Sequence, residues 1–267
     1  MRTIVFSDVH GEPDIIHGVV EHSGYVAGED RLIFAGDAID IGRDSAGCLK
    51  LFDELGAEFL VGNHEWGAFI DWGFEPLAPE VDAAVTKHIS DGDWPLAAQA
   101  DGVLITHAGV SAEWADVFDE VAEGDVARFV DALNLGFRGA VELGMFAAQG
   151  VIGDDGPLWW RPPCRDGVGL PGVAQVCGHT PREIMDEWEP AEPLGTAGLY
   201  LVDPWVRGWE KRGFAAPTPV RYAVIEGGGV RVIDVGRRPS GAPPGGTKLV
   251  GRTAVEGSSL SGGPPGV

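Results

Sequence analysis

Basic residues are scarce in this chain. Its 19 lysines and arginines stand against 41 aspartates and glutamates, which gives a formal net charge of -22 over 267 residues. Proteins that bind nucleic acids grip the phosphate backbone with clustered lysine and arginine side chains, which this chain lacks. We therefore expect no nucleic-acid partner. Any phosphate group that binds here needs a local source of positive charge.

Cysteine is also scarce, and Cys48, Cys164 and Cys177 are widely spaced without a CxxC pair. Neither a disulfide framework nor a cysteine-based zinc site is indicated. No apolar run approaches the roughly 20 residues needed to cross a bilayer. The first charged motif begins at Asp8, which leaves no room for a signal peptide before it. We expect a cytoplasmic protein without a membrane partner.

Short apolar runs recur along the chain, with helical patterns between the first three, and this rhythm predicts an α/β fold. The strongest strand candidates are residues 2–7, 31–36, 57–62, 102–107 and 173–178. Residues 80–150 are mostly helical in pattern and are expected to form a cap over one end of the sheet. The later segments 198–203, 220–226 and 229–236 predict an antiparallel hairpin that joins a second sheet.

Glycine, proline and serine dominate residues 237–267. A segment so poor in apolar residues cannot offset the entropy lost on ordering, so we predict a disordered tail. The folded domain is then expected to span residues 1–236.

Each of the five strand candidates ends in a polar turn: SDVHG (7–11), GDAID (36–40), GNHE (62–65), THAG (106–109) and CGHTP (177–181). The carboxyl ends of strands form the ligand crevice of open α/β sheets, so these turns should converge. Any one motif turns up by chance, because Gly, Asp, Asn and His are ordinary turn residues. Five in order, each after a strand, argue against chance. They pool six candidate metal ligands: Asp8, His10, Asp37, Asn63, His107 and His179.

The chemistry of this set favours borderline divalent cations. Carboxylate, imidazole and amide oxygen suit manganese, iron, cobalt or zinc, and the absence of thiolates disfavours a structural zinc. Six ligands exceed the need of one ion with an open position, whereas two ions roughly 3.5 to 4 Å apart that share a carboxylate would use them all. We expect two divalent metal ions as the cofactor. Manganese is favoured, with iron, zinc, cobalt and magnesium as alternatives.

The blocks GNHE, HAG and GHTP, in this order, carry a family resemblance. The sequence resembles the calcineurin-like metallophosphoesterases, and its pattern is most similar to the branch of serine/threonine phosphatases and symmetrical dinucleoside tetraphosphate hydrolases. The resemblance covers residues 1 to about 235. It implies a fold of two packed mixed β-sheets flanked by helices.

The resemblance also implies roles for the turn residues. Asp8 and His10 would hold one ion, Asp37 would bridge to the second, and the second would be completed by Asn63, His107 and His179. His64 then looks like the general acid or charge stabiliser at the leaving-group oxygen, oriented by Asp40.

The sequence departs from the protein-phosphatase pattern at two positions. That branch has an arginine after the second aspartate of GDxVDRG and another before GNHE, whereas this chain has Ile41 and Val61. Both phosphate-binding arginines of the pattern are missing. We predict that Arg43 and Arg161 bind the substrate in their place, with Arg182 a weaker third candidate. For Arg43 the alternative is a surface charge at a helix end.

Tryptophans lie close to the motifs: Trp66 follows GNHE, and Trp159 and Trp160 precede Arg161. Two interpretations stay open. Exposed rings could stack on a nucleobase or a phosphoaryl group, and buried ones would fill the core.

Three functional hypotheses follow. The leading one is a two-metal phosphatase that hydrolyses phosphomonoesters, such as phosphoproteins or small phosphorylated metabolites, with a metal-activated water. The alternative is hydrolysis of a dinucleoside polyphosphate or phosphodiester, which the missing arginines and the tryptophans favour. The third is a catalytically silent protein that binds phosphorylated ligands. Loss of metal ligands would mark such a protein, and no ligand is lost here.

Overall fold

The computed structural model describes residues 1–72, 76–116, 125–143, 149–153, 155–162, 169–181, 198–211, 213 and 217–235. The predictions for Cys164, Arg182 and the tail at 237–267 lie outside these residues.

Strands and helices alternate over about the first 70 residues, and after that elements of one kind mostly follow each other. The strands are β1 (Thr3–Phe6), β2 (Arg31–Phe34), β3 (Glu58–Phe59), β4 (Ala97–Ala100), β5 (Val103–Thr106), β6 (Gln175–Cys177), β7 (Leu199–Leu201), β8 (Val220–Glu226) and β9 (Gly229–Val235). The helices are α1 (Pro13–Ser23), α2 (Ser45–Leu55), α3 (Asn63–Phe69), α4 (Pro79–Asp91), α5 (Ala112–Ala115), α6 (Val126–Leu143), α7 (Gln149–Ile152) and α8 (Val206–Glu210). No helix among the described residues is both long and apolar enough to span a membrane.

The strands form two mixed sheets. The first has the order β3-β2-β1-β8-β9 and the second the order β4-β5-β6-β7. In the first, β1, β2 and β3 are parallel and the β8–β9 hairpin adds antiparallel to β1. In the second, β5, β6 and β7 are parallel and β4 is antiparallel to β5. The predicted fold class of two packed mixed sheets flanked by helices is confirmed.

Side chains that alternate along the central strands fill two cores. Val5 on β1 joins a buried cluster with residues of both sheets, among them Ile105 and Val176. Its neighbour Phe6 points to the opposite face, where it packs on Phe52 of α2 with ring centroids 5.9 Å apart. Because strand side chains alternate between faces, one strand contributes both to the core between the sheets and to the core under the helices.

Two details of the predicted topology are wrong. The hairpin β8–β9 extends the first sheet through β1, with Val5 opposite Ala223, and does not join the second. The segment at 198–203 forms β7, which pairs parallel to β6 with Gln175 opposite Leu199. A period-2 pattern gives no direction for a strand, so pairing partners and chain sense could not be read from it.

Strand β4 was not predicted. Its sequence, AAQA, has a helical propensity, and pairing with β5 overrides that preference. On the other side of β4 lies α6, whose Asn134 Oδ1 accepts from the backbone N–H of Leu96 and Ala97, both at 2.9 Å. Residues 80–150 thus include β4, β5, α5, α6 and parts of α4 and α7.

Candidate metal centre

Loops that follow the strands of both sheets surround one pocket of about 270 Å³. Five of the six predicted metal ligands line it, and the sixth, His107, is completely buried with Nε2 2.8 Å from Asn63 Oδ1. The lining residues are Asp8, His10, Asp37, Asn63, His64, Trp159, Arg161, His179, Pro181, Asp203, Trp205, Val206 and Arg207. The turns converge as the strand-end rule predicts.

Asp37 lies at the centre of this arrangement. Its Oδ2 is 3.7 Å from His10 Nε2, 3.7 Å from His64 Nε2 and 3.4 Å from His107 Nε2. Two groups of donors share it, one with His10 and His64 and the other with His107 and His179, and within each group the ligand atoms lie within 4.8 Å of one another. A carboxylate shared by two compact ligand groups is suited to bridge two ions.

Backbone carbonyls fix the tautomers of two histidines. His10 Nδ1 lies 3.0 Å from the carbonyl oxygen of Ile39, and His107 Nδ1 lies 2.8 Å from that of Ala35. A carbonyl can only accept, so each Nδ1 carries the proton and each Nε2 turns a lone pair toward Asp37. Lone pairs that face a carboxylate repel it unless a cation lies among them, and this is the usual arrangement of metal-binding histidines.

His179 gives independent support for a cation. Its Nε2 is buried and has no hydrogen-bond partner among the described residues. Its backbone N–H donates to Asp8 Oδ1 at 3.0 Å, which ties the loop after β6 to the loop after β1. A buried polar atom without a partner is costly, and a divalent ion would satisfy it.

Burial shifts the titration of the whole set. Burial, and then the charge of Asp203, raise the pKa of Asp8 well above its usual value. Burial, and then the charges of Asp8 and Glu65, do the same to the pKa of Asp37. Burial lowers the pKa of His107 to about 3, so this imidazole is neutral. Crowded carboxylates beside neutral imidazoles form a site that bound cations would stabilise.

Several site residues adopt left-handed backbone conformations. The φ angles of Asp8, His10, Asp37, Asp40 and His179 lie between 43° and 66°. Such conformations are strained outside glycine, although Asp, Asn and His tolerate them best. The loops hold each other in place, since the N–H of Asp8 donates to Gly36 and that of His10 to Asp37, both at 2.9 Å. Contacts between the loops therefore help to position the candidate ligands.

Glu65 is a further positioning residue that the sequence patterns did not reveal. Its carboxylate is fully buried, and Oε2 accepts from the N–H groups of Asp37 at 2.8 Å and Gly62 at 2.9 Å. Oε1 accepts from the N–H of Ala38 at 2.8 Å. One side chain thus joins the loop that carries Asp37 to the start of α3. Its place three residues after the N-cap Gly62, as in a capping box, was the available signal.

His64 is placed between Asp40 and Asp37. Its Nδ1 lies 3.0 Å from Asp40 Oδ2, and its backbone N–H donates to Asp37 Oδ1 at 3.0 Å. Burial alone would raise the pKa of Asp40, but the hydrogen bond with His64 brings it below its usual value. The ionised Asp40 therefore accepts from Nδ1 and leaves Nε2 facing the pocket. That Nε2 is as close to Asp37 as His10 Nε2 is.

The two predicted substrate arginines have different surroundings. Arg161 lines the pocket, and its Nη1 donates to the carbonyl of His179 at 2.8 Å. Arg43 does not line the pocket. Its Nη2 lies 2.6 Å from Oε2 of the fully buried Glu12 and 3.6 Å from Asp14. Arg43 therefore pairs with acidic side chains outside the pocket lining, as a surface charge near the start of α2 would, and its substrate-binding role stays a prediction.

The tryptophans near the motifs divide into two groups. Trp66 and Trp160 are buried in the core, and Trp66 packs on Phe137 with centroids 5.4 Å apart. Trp159 is half-buried and lines the pocket. The core interpretation therefore holds for two of the three, and stacking on a substrate stays open for Trp159.

Sequence reasoning missed the pocket wall at 203–207. Asp203, Trp205, Val206 and Arg207 all line the pocket, and burial raises the pKa of Asp203 to about 6. The signal was present, because LYLVD is an apolar run that ends on an aspartate, as in SD and GD. Its assignment to an antiparallel hairpin took it out of the set of convergent strand ends.

Two packed mixed sheets whose parallel strand ends bring together Asp, Asn and His ligands define a metallophosphoesterase fold. The profile of the calcineurin-like phosphoesterase family matches residues 1–183, and the chain belongs to that family. The family and fold predicted from the motifs are both confirmed.

Two curated relatives are similar to part of the chain. The symmetrical bis(5'-nucleosyl)-tetraphosphatase of Actinobacillus pleuropneumoniae serotype 3 (strain JL03) is 31% identical over 127 residues, which cover 43% of this chain and 47% of the relative. A homologue with the same name from Vibrio campbellii is 28% identical over 144 residues, 50% of this chain and 52% of the relative. The chain spans about half the length of the curated relatives it matches.

The solved structure of a cold-active protein-tyrosine phosphatase from a psychrophilic Shewanella species shares the fold. Its TM-score is 0.60 at 17% identity, and the match covers 86% of this chain and 77% of that one. At this identity the likeness extends to the architecture alone.

Replacing Glu65 by Gln tests its positioning role. Glutamine keeps one acceptor oxygen for three buried N–H donors, so the Asp37 loop should shift. We expect manganese affinity, measured by equilibrium dialysis and metal analysis, to fall about 10- to 100-fold while the circular dichroism spectrum is retained. The exposed Glu80→Gln on α4 is the matched control. Unchanged affinity in Glu65→Gln would show that the backbone holds Asp37 without this carboxylate.

Proposed function

We propose that the protein is a dinuclear metal-dependent phosphoesterase. The observation that carries this proposal is Asp37, whose carboxylate is shared by two ligand groups. Asp8 and His10 would complete one ion site beside Asp37, and the other would use the remaining predicted ligands, Asn63, His107 and His179. The orphaned Nε2 of His179 and the lone pairs of His10 and His107 fit that assignment.

Two divalent ions, with manganese favoured, would supply neutralisation of the phosphoryl charge and a water of lowered pKa. The protein's own side chains supply orientation. Arg161, fixed by the carbonyl of His179, presents a guanidinium to the phosphoryl oxygens. This positive charge offsets part of the surrounding carboxylate field, which matters in a chain of net charge -22.

His64 serves the leaving group in this proposal. The Asp40 carboxylate holds Nδ1–H at 3.0 Å, so Nε2 is directed into the pocket. A protonated Nε2 there can donate to the departing oxygen and prevent negative charge from building up on it. His64 Nε2 also lies close to Asp37, so the competing assignment for His64 is a metal ligand. Metal analysis of a His64 variant distinguishes the two roles.

The substrate we propose first is a phosphomonoester, such as a phosphoprotein or a small phosphorylated metabolite. The second candidate is a dinucleoside polyphosphate or a phosphodiester. The symmetrical tetraphosphatases among the relatives favour it, and so does Trp159 on the pocket wall.

A substrate panel on one manganese-loaded preparation tests the activity. We expect turnover of an aryl phosphate, with loss of turnover after chelation and recovery on adding manganese. The ratio of kcat/KM between the aryl phosphate, a phosphopeptide and a dinucleoside tetraphosphate ranks the substrate classes. A protein that retains metal but hydrolyses none of them would be the catalytically silent binder.

Asp37→Asn tests the bridging role. The amide keeps the size of the side chain but removes the charge that both ions would share. We expect affinity for manganese to fall at least about 10-fold at both sites. Metal analysis after dialysis measures this, and Asp82→Asn on the exposed side of α4 is the control. Loss of a single ion would assign Asp37 to one site only.

The variant His64→Ala distinguishes a general-acid role of His64 from a metal-ligand role. If His64 protonates the leaving group, kcat/KM should fall about 100- to 10,000-fold for an alkyl phosphate and far less for p-nitrophenyl phosphate, whose leaving group needs no proton. Both ions should remain bound. Equal loss for the two substrates argues against the acid role, and loss of one ion supports the ligand role.

A further inference from the structure

The turn that follows Asp40 has a strained backbone. Asp40 and Ile41 both have a φ of 66°, which places two consecutive residues in the left-handed region. A β-branched residue such as isoleucine is rarely found there, because its Cβ clashes with the backbone. The N–H of Gly42 donates to the carbonyl of Asp40 at 2.7 Å and closes a three-residue turn around Ile41. Such a turn with a positive φ at its centre is rare and strained, so it persists only where surrounding contacts hold it.

The backbone of this turn lies directly against the loop after β1. The N–H of Gly42 also donates to the carbonyl of His10 at 2.7 Å, and the N–H of Arg43 donates to the carbonyl of Gly11 at 3.0 Å. A Cβ at position 42 would overlap the carbonyl oxygen of His10, so only glycine permits this close approach. The strained turn is therefore tied by its main chain to the loop that carries His10.

A buried carboxylate completes this attachment. Glu12 is completely buried, and its Oε1 accepts from the backbone N–H and from Nε–H of Arg43, both at 3.1 Å. Its Oε2 accepts from Nη2 of Arg43 at 2.6 Å. The carboxylate thus holds Arg43 by main chain and side chain together. A carboxylate removed from water depends on partners of this kind. We call these two residues the Glu12–Arg43 clamp.

The strained turn also carries the partner of His64. Asp40 Oδ2 lies 3.0 Å from His64 Nδ1, and the His64 ring packs edge to face on the His10 ring with centroids 4.6 Å apart. Ile41 directly follows Asp40, so relaxation of Ile41 to an ordinary backbone conformation would redirect the chain beside the Asp40 carboxylate. The position of that carboxylate therefore depends on whatever holds the turn.

We propose that the Glu12–Arg43 clamp holds the strained turn at Ile41 and thereby positions Asp40 against His64. Glu12 and Arg43 are then positioning residues for the leaving-group chemistry, so this inference rests on the proposed phosphoesterase function. The protein-phosphatase pattern has an arginine at position 41, whereas here the arginine stands two positions later and pairs with Glu12 outside the pocket lining. The competing role for Arg43 is the predicted substrate contact.

NMR of the histidine rings tests the geometry without turnover. The full chain is measured both zinc-loaded and metal-free, and the Nδ1–H resonance of His64 is assigned by its absence in His64→Ala. We expect a downfield Nδ1–H resonance in the unmodified chain, as for a hydrogen bond to a carboxylate, and its loss in Arg43→Ala and in Glu12→Gln. An unchanged resonance in both variants, or no such resonance in the unmodified chain, overturns the proposal.

Leaving-group dependence tests the consequence for hydrolysis by the manganese-loaded chain. In Arg43→Ala, kcat/KM for an alkyl phosphate should fall about 10- to 100-fold and that for p-nitrophenyl phosphate no more than about threefold, with both ions retained. Glu12→Gln should give the same pattern. A substrate-binding Arg43 gives a different one: Arg43→Ala weakens both substrates equally, and Glu12→Gln, which keeps the guanidinium, weakens neither. That result contradicts the clamp.

Arg2→Ala is the matched control. It removes a guanidinium whose Nε donates to Asp30 at 3.0 Å, at the end of β1 that faces away from the pocket. Neither substrate should be affected. A selective loss for the alkyl phosphate in Arg2→Ala as large as in Arg43→Ala would assign the effect to general stability and overturn the proposal.

A second substitution at the turn provides a rescue. Glycine adopts a φ of 66° without strain, so Ile41→Gly should keep the turn in place without the clamp. We expect kcat/KM of Ile41→Gly/Arg43→Ala for the alkyl phosphate to lie within about threefold of that of Ile41→Gly alone. Losses that multiply in the double variant would mean that the two residues act independently, against the proposal. Arg43→Lys should recover part of the loss, because it keeps the charge but not the fork.

The failure of the clamp and the failure of the phosphoesterase function give different results. A chain that holds metal but hydrolyses neither phosphate contradicts the phosphoesterase function, and the His64 resonance then still tests the clamp. A chain that hydrolyses both, and whose clamp variants keep the resonance and the unmodified ratio of the two kcat/KM values, contradicts only the clamp. Should Arg43→Ala lose its circular dichroism signal, Arg43→Met replaces it under the same criteria.

Discussion

Burial of the Asp37 carboxylate among three imidazoles is the constraint around which this site is built. A charge removed from water is strongly unfavourable unless it is paired and hydrogen-bonded. The protein offers it the N–H of His64 and leaves Oδ2 facing His10, His64 and His107. Bound cations would neutralise the carboxylate charge that these contacts leave unpaired. Strained turns, fixed tautomers and the buried Glu65 all serve to hold this one carboxylate in that position.

Much of this centre could be predicted from the sequence, because most of its residues directly follow a strand. A strand that ends in Asp, Asn or His delivers that side chain to the sheet edge, and the carboxyl ends of strands form the ligand crevice of open α/β sheets. Asp8, Asp37, Asn63 and His179 were predicted to converge in this way, and all four line the pocket. Glu65 escaped because its partners, the N–H groups of Asp37 and Ala38, lie 27 or 28 residues away. Nothing in the motif GNHE alone indicates that its glutamate accepts hydrogen bonds from backbone N–H groups of another loop.

The errors have a common physical origin in long-range pairing. The ion pair of Arg43 could not be anticipated, because its acidic partner, Glu12, lies 31 positions earlier in the sequence. The pocket wall at 203–207 was missed because the direction of the short strand β7 depends on the neighbour it pairs with. Periodicity reports which face is buried but not which partner covers it. The substrate pocket is where such partners matter most, so the metal ligands were more predictable than the substrate contacts.

The proposed ligands come from both sheets. Asp37 and Asn63 follow strands of the first sheet, whereas His107 and His179 follow strands of the second. His107 Nδ1–H also reaches across to Ala35, and the N–H of His179 reaches Asp8. An ion held by these four side chains would therefore cross-link the two sheets. Its binding free energy would add to the free energy that keeps the two sheets together, so metal loading and folding would be linked parts of one equilibrium.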